Sequence, residues 1–346
     1  MKARNTEIII TGGSFNYAPH ITEFKYSDSI ESEADTVEMT LADNEKKLLS
    51  AGAIPERGTE FSFSILKKNW NSLALEKENA LSLNLGSFQF DELDCSGPPS
   101  KLVLKFTSVP LKSGSRGVNR DFAFEDTTLL KIAGDIAARA GLNLSYDAPE
   151  IEIKRAEQSG LSDFAFLESL CKKNSLNMKV HNKQLIIFDA EKFEAAEPVI
   201  TLTPDLPIIL HYNFKVKSTD IYEGANVSFL QNGIFDIAGA VGDMFGIDFV
   251  GTSTKNASGN VLNINSVVRS NAEGERLSKA ALREKNKNEF KLNLNLSGSF
   301  SFVAGNTFTV SGFNSLLDGK YIVVRSTHAI DAGYTTSVNA HKVLQS

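Results

Sequence analysis

QSGLSDFAFLESLCKKNSL, residues 158–176, reads as a complete helix with both ends specified. Ser162 suits the N-cap, where a side-chain oxygen takes an orphan backbone amide, and Leu161 and Phe166 occupy the two positions of a hydrophobic staple. Phe164, Leu167 and Cys171 give an apolar stripe. Lys172 and Lys173 complement the negative end of the helix dipole, and Asn174 suits a stop. Asp163 reads as an anion placed at the helix N-terminus rather than as an acid catalyst.

The same grammar stands upstream. DTTLLKIAGDIAARAG (126–141) places Leu129, Ile132, Ala133, Ile136 and Ala140 on one stripe, with Asp126 or Thr127 as cap and Gly141 as the left-handed stop. Each helix runs directly into a Leu-Asn strand, GLNLSYD (141–147) and SLNMKVHNKQLIIFD (175–189), so a helix-strand unit is used twice. The polar run 189–198 closes this segment.

Outside it the pattern changes from helical to alternating. EFSFSIL (60–66), LSLNLGSFQF (81–90) and KLVLKF (101–106) read as half-buried strands with Gly and Pro turns between them, and a short helix is expected at LADNEKKLLSAG (41–52). After Pro198 strands resume. In FKLNLNLS (290–297) Phe290, Leu292, Leu294 and Leu296 point one way, and Lys291, Asn293, Asn295 and Ser297 point to water or a polar partner. A helix over 272–287 carries Arg276, Lys279, Arg283 and Lys287 along one face, which reads as solvated. The expected fold is α+β, mostly β: a barrel-like antiparallel domain at 1–115, an α/β domain at 116–197, and a second barrel-like domain at 198–346 containing an unassigned insertion at about 231–270. LVLKFTS (102–108) and IVVRSTH (322–328) share a short pattern compatible with two related β domains.

Composition narrows the function. The chain has 346 residues, 42 Asp and Glu against 36 Lys and Arg, and a net charge of -6, which argues against nucleic-acid binding as a class. Cys95 and Cys171 read as free thiols. Neither a signal-peptide pattern nor a membrane-span pattern is visible, since 234–250 is interrupted by Asp236, Asp243 and Asp248. That apolar stretch suits either core or a docking surface, with Ile234, Phe235 and Phe245 as candidate contact residues.

Motifs for phosphate cradles, dinucleotide turns and nucleophile elbows are missing. His20, His181, His211, His328 and His341 stand singly, without paired metal-ligand spacing. No metal, cofactor or catalytic set is therefore expected. Glycan hydrolysis needs only two carboxylates, and nothing singles out a pair. With 23 Phe against one Trp, Trp70 is a thin basis for sugar stacking.

RAEQSGLSDFAFLESLCKKNSLNMKVHNKQLIIFD (155–189) resembles the hallmark segment of the late control protein D family, the baseplate hub proteins of contractile phage tails. Arg155, Gln158, Ser162, Asp163, Phe166 and Leu167 carry it. DTVEMTLAD (35–43), IPERGTEFSFSI (54–65), the Gly-Pro-Pro at 97–99 and LSGSFSFVAGNTFTVSGFNSLLDGKYIVVRSTHAI (296–330) continue it in order, while about 231–270 departs from it. The resemblance implies two barrel-like domains flanking an α/β domain, no catalytic residues, and a homotrimer that joins a six-fold tail tube to a three-fold spike. It also implies spike, tube, other baseplate and tape-measure proteins as partners, and a place in the virion tail after assembly in the host cytoplasm. A tail-associated wall hydrolase and a receptor- or glycan-binding β module are the alternatives.

Overall fold

The computed structural model describes residues 4–31, 34–49, 52–70, 80–110, 118–230, 247–253, 260–265 and 271–344. The fold is α+β and mostly β. Six strands come first: β1 (Asn5–Thr11), β2 (Ile21–Ser29), β3 (Thr36–Ala42), β4 (Glu60–Lys68), β5 (Ala80–Ser96) and β6 (Lys101–Thr107). An α/β unit follows, with β7 (Asn119–Thr128), α1 (Leu129–Ala140), β8 (Asn143–Asp147), β9 (Glu152–Ser162), α2 (Asp163–Lys173), β10 (Leu176–His181), β11 (Gln184–Asp189) and α3 (Ala190–Ala195). The rest comprises β12 (Thr201–Leu202), β13 (Ile209–Val216), β14 (Gly224–Leu230), β15 (Ile247–Ser253), β16 (Val261–Asn265), α4 (Asn271–Asn286), β17 (Phe290–Ser297), β18 (Thr307–Val310), β19 (Gly319–Ile330) and β20 (Tyr334–Lys342).

The two β regions form one 12-stranded sheet, in the order β1-β4-β5-β6-β3-β2-β19-β20-β17-β13, with β18 on β19 and β12 on β18. Antiparallel pairing of β2 with β19, from Ser29 opposite Arg325 to Phe24 opposite Ile330, is the seam between them. Each side has its own core. Phe24, Met39, Phe61, Phe63, Phe88 and Phe106 fill the first lobe, and Leu292, Leu294, Leu296, Phe302, Phe308 and Tyr321 fill the second. The strict alternation of β17 produces this directly, because residues two apart share a face: its leucines are buried and Lys291, Asn293 and Asn295 are exposed.

Two buried groups pin the seam. Lys67 of β4 donates to the carbonyl of Gly298 at 3.2 Å, and its ammonium lies 4.3 Å from the Phe300 ring centroid. His328 shares its Nδ1 with the Tyr334 hydroxyl at 2.7 Å and stacks on Tyr26 of the first lobe. Gly298 is required by this packing, since a Cβ there would lie 2.0 Å from the Tyr334 ring.

The α/β unit has a third core, in which Leu129, Ile132, Ile136, Phe166, Leu167 and Ile187 meet. Its helix-strand units converge on one small sheet, β10-β11-β8, where β8 runs parallel to β11. Thr128 caps α1 by accepting from the Lys131 amide, one residue later than expected, and Gly141 ends it in the left-handed region at φ 69°. The expected helix at 41–52 does not form over its described part: residues 43–49 are turns, a bend and irregular chain. The Asp43 carboxylate accepts from the Lys47 and Leu48 amides, and Lys46 takes a positive φ, so the backbone bonds a helix needs are diverted.

β15 and β16 pair on either side of β14, giving strands at 247–253 and 261–265 within the insertion. Beside them α4 spans the expected helix, but its basic face is only partly solvated: Lys279 is exposed, while Arg283 and Lys287 are largely covered. Arg283 bonds Glu194 at 2.8 Å and Glu191 at 3.2 Å, Lys279 bonds Glu191, Lys287 bonds Glu31, and Arg276 donates to Asn174. These acids lie on or beside α3 and just past the end of β2, so the cations dock the helix, Arg283 and Lys287 with little water around them. Replacing Glu194 with Ala is expected to weaken this docking by about 2 kcal/mol, because it strips a largely buried guanidinium of one partner. Hydrogen exchange should rise in 271–286 while the lobes stay protected; equal exchange in both proteins would refute the role.

Candidate assembly site

Residues of the α2 segment occupy three different settings. Ser162 accepts from the Ala165 amide at 3.3 Å and is the expected cap. Asp163 opens the helix and is fully buried. Its carboxylate accepts from Arg139 of α1 at 3.0 Å and from Gln158 at 3.0 Å, and the Arg120 guanidinium lies 3.6 Å away. Gln158 uses the same amide nitrogen to reach the Leu161 carbonyl at 2.9 Å. Asp163 therefore does more than sit at a dipole: it clamps α2 to α1 and β7.

Phe166 stacks on Phe124 at 5.5 Å and Leu167 is fully buried, so both belong to the core. The buried stripe runs through Asp163, Phe166, Leu167, Leu170 and Cys171, which leaves Phe164 only partly covered. Leu161, the other member of the expected staple, remains 40% exposed. Arg155 stands apart from this cluster: it is exposed on β9 and bonds Glu125 and Glu157. Burial pushes the Cys171 thiol up to about 12, which makes it a packing group rather than a nucleophile.

A second cluster joins all three cores. Lys179 of β10 bonds Asp28 of β2 and Asp35 at 3.1 Å; Asp28 also accepts from the Ala304 amide of the second lobe at 3.1 Å. His181 meets the other oxygen of Asp35 at 2.8 Å. Burial pushes the Asp28 carboxyl above its ordinary range, while Lys179 offsets part of that rise. For Lys179, burial alone would favour the neutral amine, but the two carboxylates outweigh it and hold the ammonium above its usual range. The sequence reading missed both clusters' partners. Arg139 lies on the polar side of its helix, and Asp28, Asp35 and Lys179 sit in unremarkable strand text.

Trp70 offers no sugar platform. It is buried, its Nε1 donates to the Asn5 carbonyl at 3.1 Å, and its ring meets Tyr334 edge-on. Among the described residues no three His, Cys, Asp or Glu side chains converge as metal ligands would, and no helix is long and apolar enough to cross a membrane. Ile234, Phe235 and Phe245 lie outside the described residues. The exposed apolar groups include Phe122 on β7, beside Phe124, and Leu210, Tyr212 and Val216 on the end strand β13.

Neither a protein-family model nor a curated protein sequence matches the chain. Solved structures do. The 43 kDa tail protein of prophage MuSo2 from Shewanella oneidensis aligns over 98% of both chains with a TM-score of 0.70 at 12% identity. A tail protein from Neisseria meningitidis aligns over 97% of this chain and 96% of its own, with a TM-score of 0.70 at 11% identity. A type VI secretion component from E. coli aligns over 98% of this chain and 77% of its own, with a TM-score of 0.61 at 9% identity. At such identities the likeness concerns architecture, and on that level it agrees with the family resemblance carried by residues 155–189: the chain has the fold of these phage tail and type VI secretion proteins.

Proposed function

We propose that the chain is a structural tail protein, specifically a baseplate hub that assembles as a homotrimer between a six-fold tail tube and a three-fold spike. The observation that carries this reading is the structural correspondence with a prophage tail protein over 98% of both chains. The architecture agrees with it. Each chain contributes two β lobes fixed to one another through the β2–β19 seam, so three copies would present six lobes to a six-fold partner and three identical chains to a three-fold one.

Domain limits of 1–115, 116–197 and 198–346 belong to the same proposal, as do tube, spike, other baseplate and tape-measure proteins as partners and the virion tail as location. The buried residues of the α2 segment then have a mechanical task, holding the α/β unit rigid beside the lobes, and no catalytic role is assigned. The test is a mass measurement of the purified chain, alone and mixed with tube and spike proteins, followed by imaging. A mass near three times 37.7 kDa and a three-fold ring are expected. A chain that stays monomeric at high concentration and binds neither partner would refute the proposal.

A further inference from the structure

Four neighbouring strands, β13, β17, β20 and β19, contain not one Asp or Glu, in a chain where acids outnumber bases. Their register gathers the polar residues into rows on the solvent face. Lys215 stands opposite Lys291, which in turn stands opposite His341, a side chain that is itself buried. The next row is Asn213, Asn293, Asn339 and Arg325, and the next begins with His211, Asn295 and Ser337.

Like charges directly opposite each other on adjacent strands repel at close range. Neither Lys215 nor Lys291 has a carboxylate partner among the described residues, and both are exposed. The first lobe treats its charges differently, pairing Lys25 with Glu38, Lys68 with Glu7 and Lys105 with Glu92 between strands. At one end of the second-lobe face a groove of about 320 Å³ is lined by Lys291, Asn293, Asn339 and Arg325, and is bounded by the end of α4. The two acids that reach this groove, Glu31 and Glu284, are both bonded to Lys287, at 2.8 and 2.7 Å.

We propose that this face docks an acidic polypeptide segment of a partner protein. Carboxylates of that segment would meet Lys215, Lys291 and Arg325, while the side-chain amides of Asn213, Asn293 and Asn339, each both donor and acceptor, suit its peptide groups. Charge complementarity selects the occupant: bringing carboxylates between the two opposed lysines relieves their repulsion. A nucleic acid fits less well, because the rows hold few cations and no Phe, Tyr or Trp for base stacking, and the net charge of -6 opposes a polyanion of high charge density. The inference is independent of the number of copies in the assembly.

The experiment uses the full chain and a fluorescent deca-glutamate peptide, followed by anisotropy at low and high salt. Binding is expected at low salt, should weaken at least about tenfold in the Lys215→Glu/Lys291→Glu double variant, and should be screened by salt. Circular dichroism verifies that the variant is folded. Equal peptide binding by parent and variant, or tighter binding of a ten-nucleotide single-stranded DNA, overturns the proposal. So does a variant that changes the mass of the assembly while leaving peptide binding intact. Lys215→Gln supplies a readout without ligand: removing one of two opposed cations should raise the melting temperature, and a fall would mean that the pair is already satisfied within the fold.

Discussion

Replacing Asp163 with Ala is expected to destabilise the chain by about 1.5–3 kcal/mol, the range for losing hydrogen bonds to a charged group, because the Arg139 and Arg120 side chains left behind are more than a third exposed and can be solvated. The substitution leaves the Arg139 guanidinium without the buried acceptor it reaches at 3.0 Å, and removes one acceptor of the Gln158 amide. It also lifts a negative charge from the first turn of α2, where the helix dipole favours one. Urea unfolding should show a lower midpoint. Arg155→Ala is the informative contrast within the same segment, because that side chain is solvated and its partners are exposed carboxylates. No measurable change is expected there. If the two variants unfold alike, the clamp assigned to Asp163 is wrong.

Acid is expected to weaken the chain through the seam. His328 is fully buried, and burial pushes its imidazole down to about 4, with Asp28 opposing and Lys67 reinforcing the shift. In the unfolded chain the same group takes its proton near 6.5. Between those values the unfolded state binds more protons, so the stabilisation is full above pH 6.5 and is lost as pH falls toward 4, a total of about 3 kcal/mol. His341, lowered by burial, acts with the same sign. Asp28, raised by burial, acts oppositely, since a carboxyl that holds its proton more tightly when folded favours the folded chain as pH falls through its own window. Urea midpoints from pH 7.5 to 5 should therefore fall with pH. In His328→Gln the slope should be shallower by up to one proton per molecule, and an unchanged slope would exclude His328 as the source.

Local pattern carried the reading of the fold, and local pattern is where that reading worked. The two helix-strand units, the caps at Ser162 and Gly141, and the leucines of β17 are all set by neighbours within a few residues. Failures came where a distant partner decides the outcome. The basic face of α4 is plain in the sequence, but its carboxylate partners are distant: Glu191 and Glu194 lie 92 and 89 residues upstream of Arg283, and Glu31 lies 256 upstream of Lys287. Asp43 looked like helix text because its carboxylate's preference for nearby amides competes with helix formation and leaves no periodic signature. Arg155 and Asp163 sit eight positions apart in one motif, yet the strand-to-helix turn sends one to solvent and the other into the core. The β2–β19 seam had no local signature at all.

That seam has a consequence for synthesis. Ser27 and Thr327, whose hydroxyls lie 3.3 Å apart, are separated by 300 residues. At roughly 5–20 residues per second, β2 emerges about 15–60 s before its partner strand exists. During that interval the first lobe has its six strands but an open β2 edge, the kind of surface that recruits stray strands from other nascent chains. β19 is thus a late closure, and until it arrives the β2 edge of each copy stays open to wrong pairing.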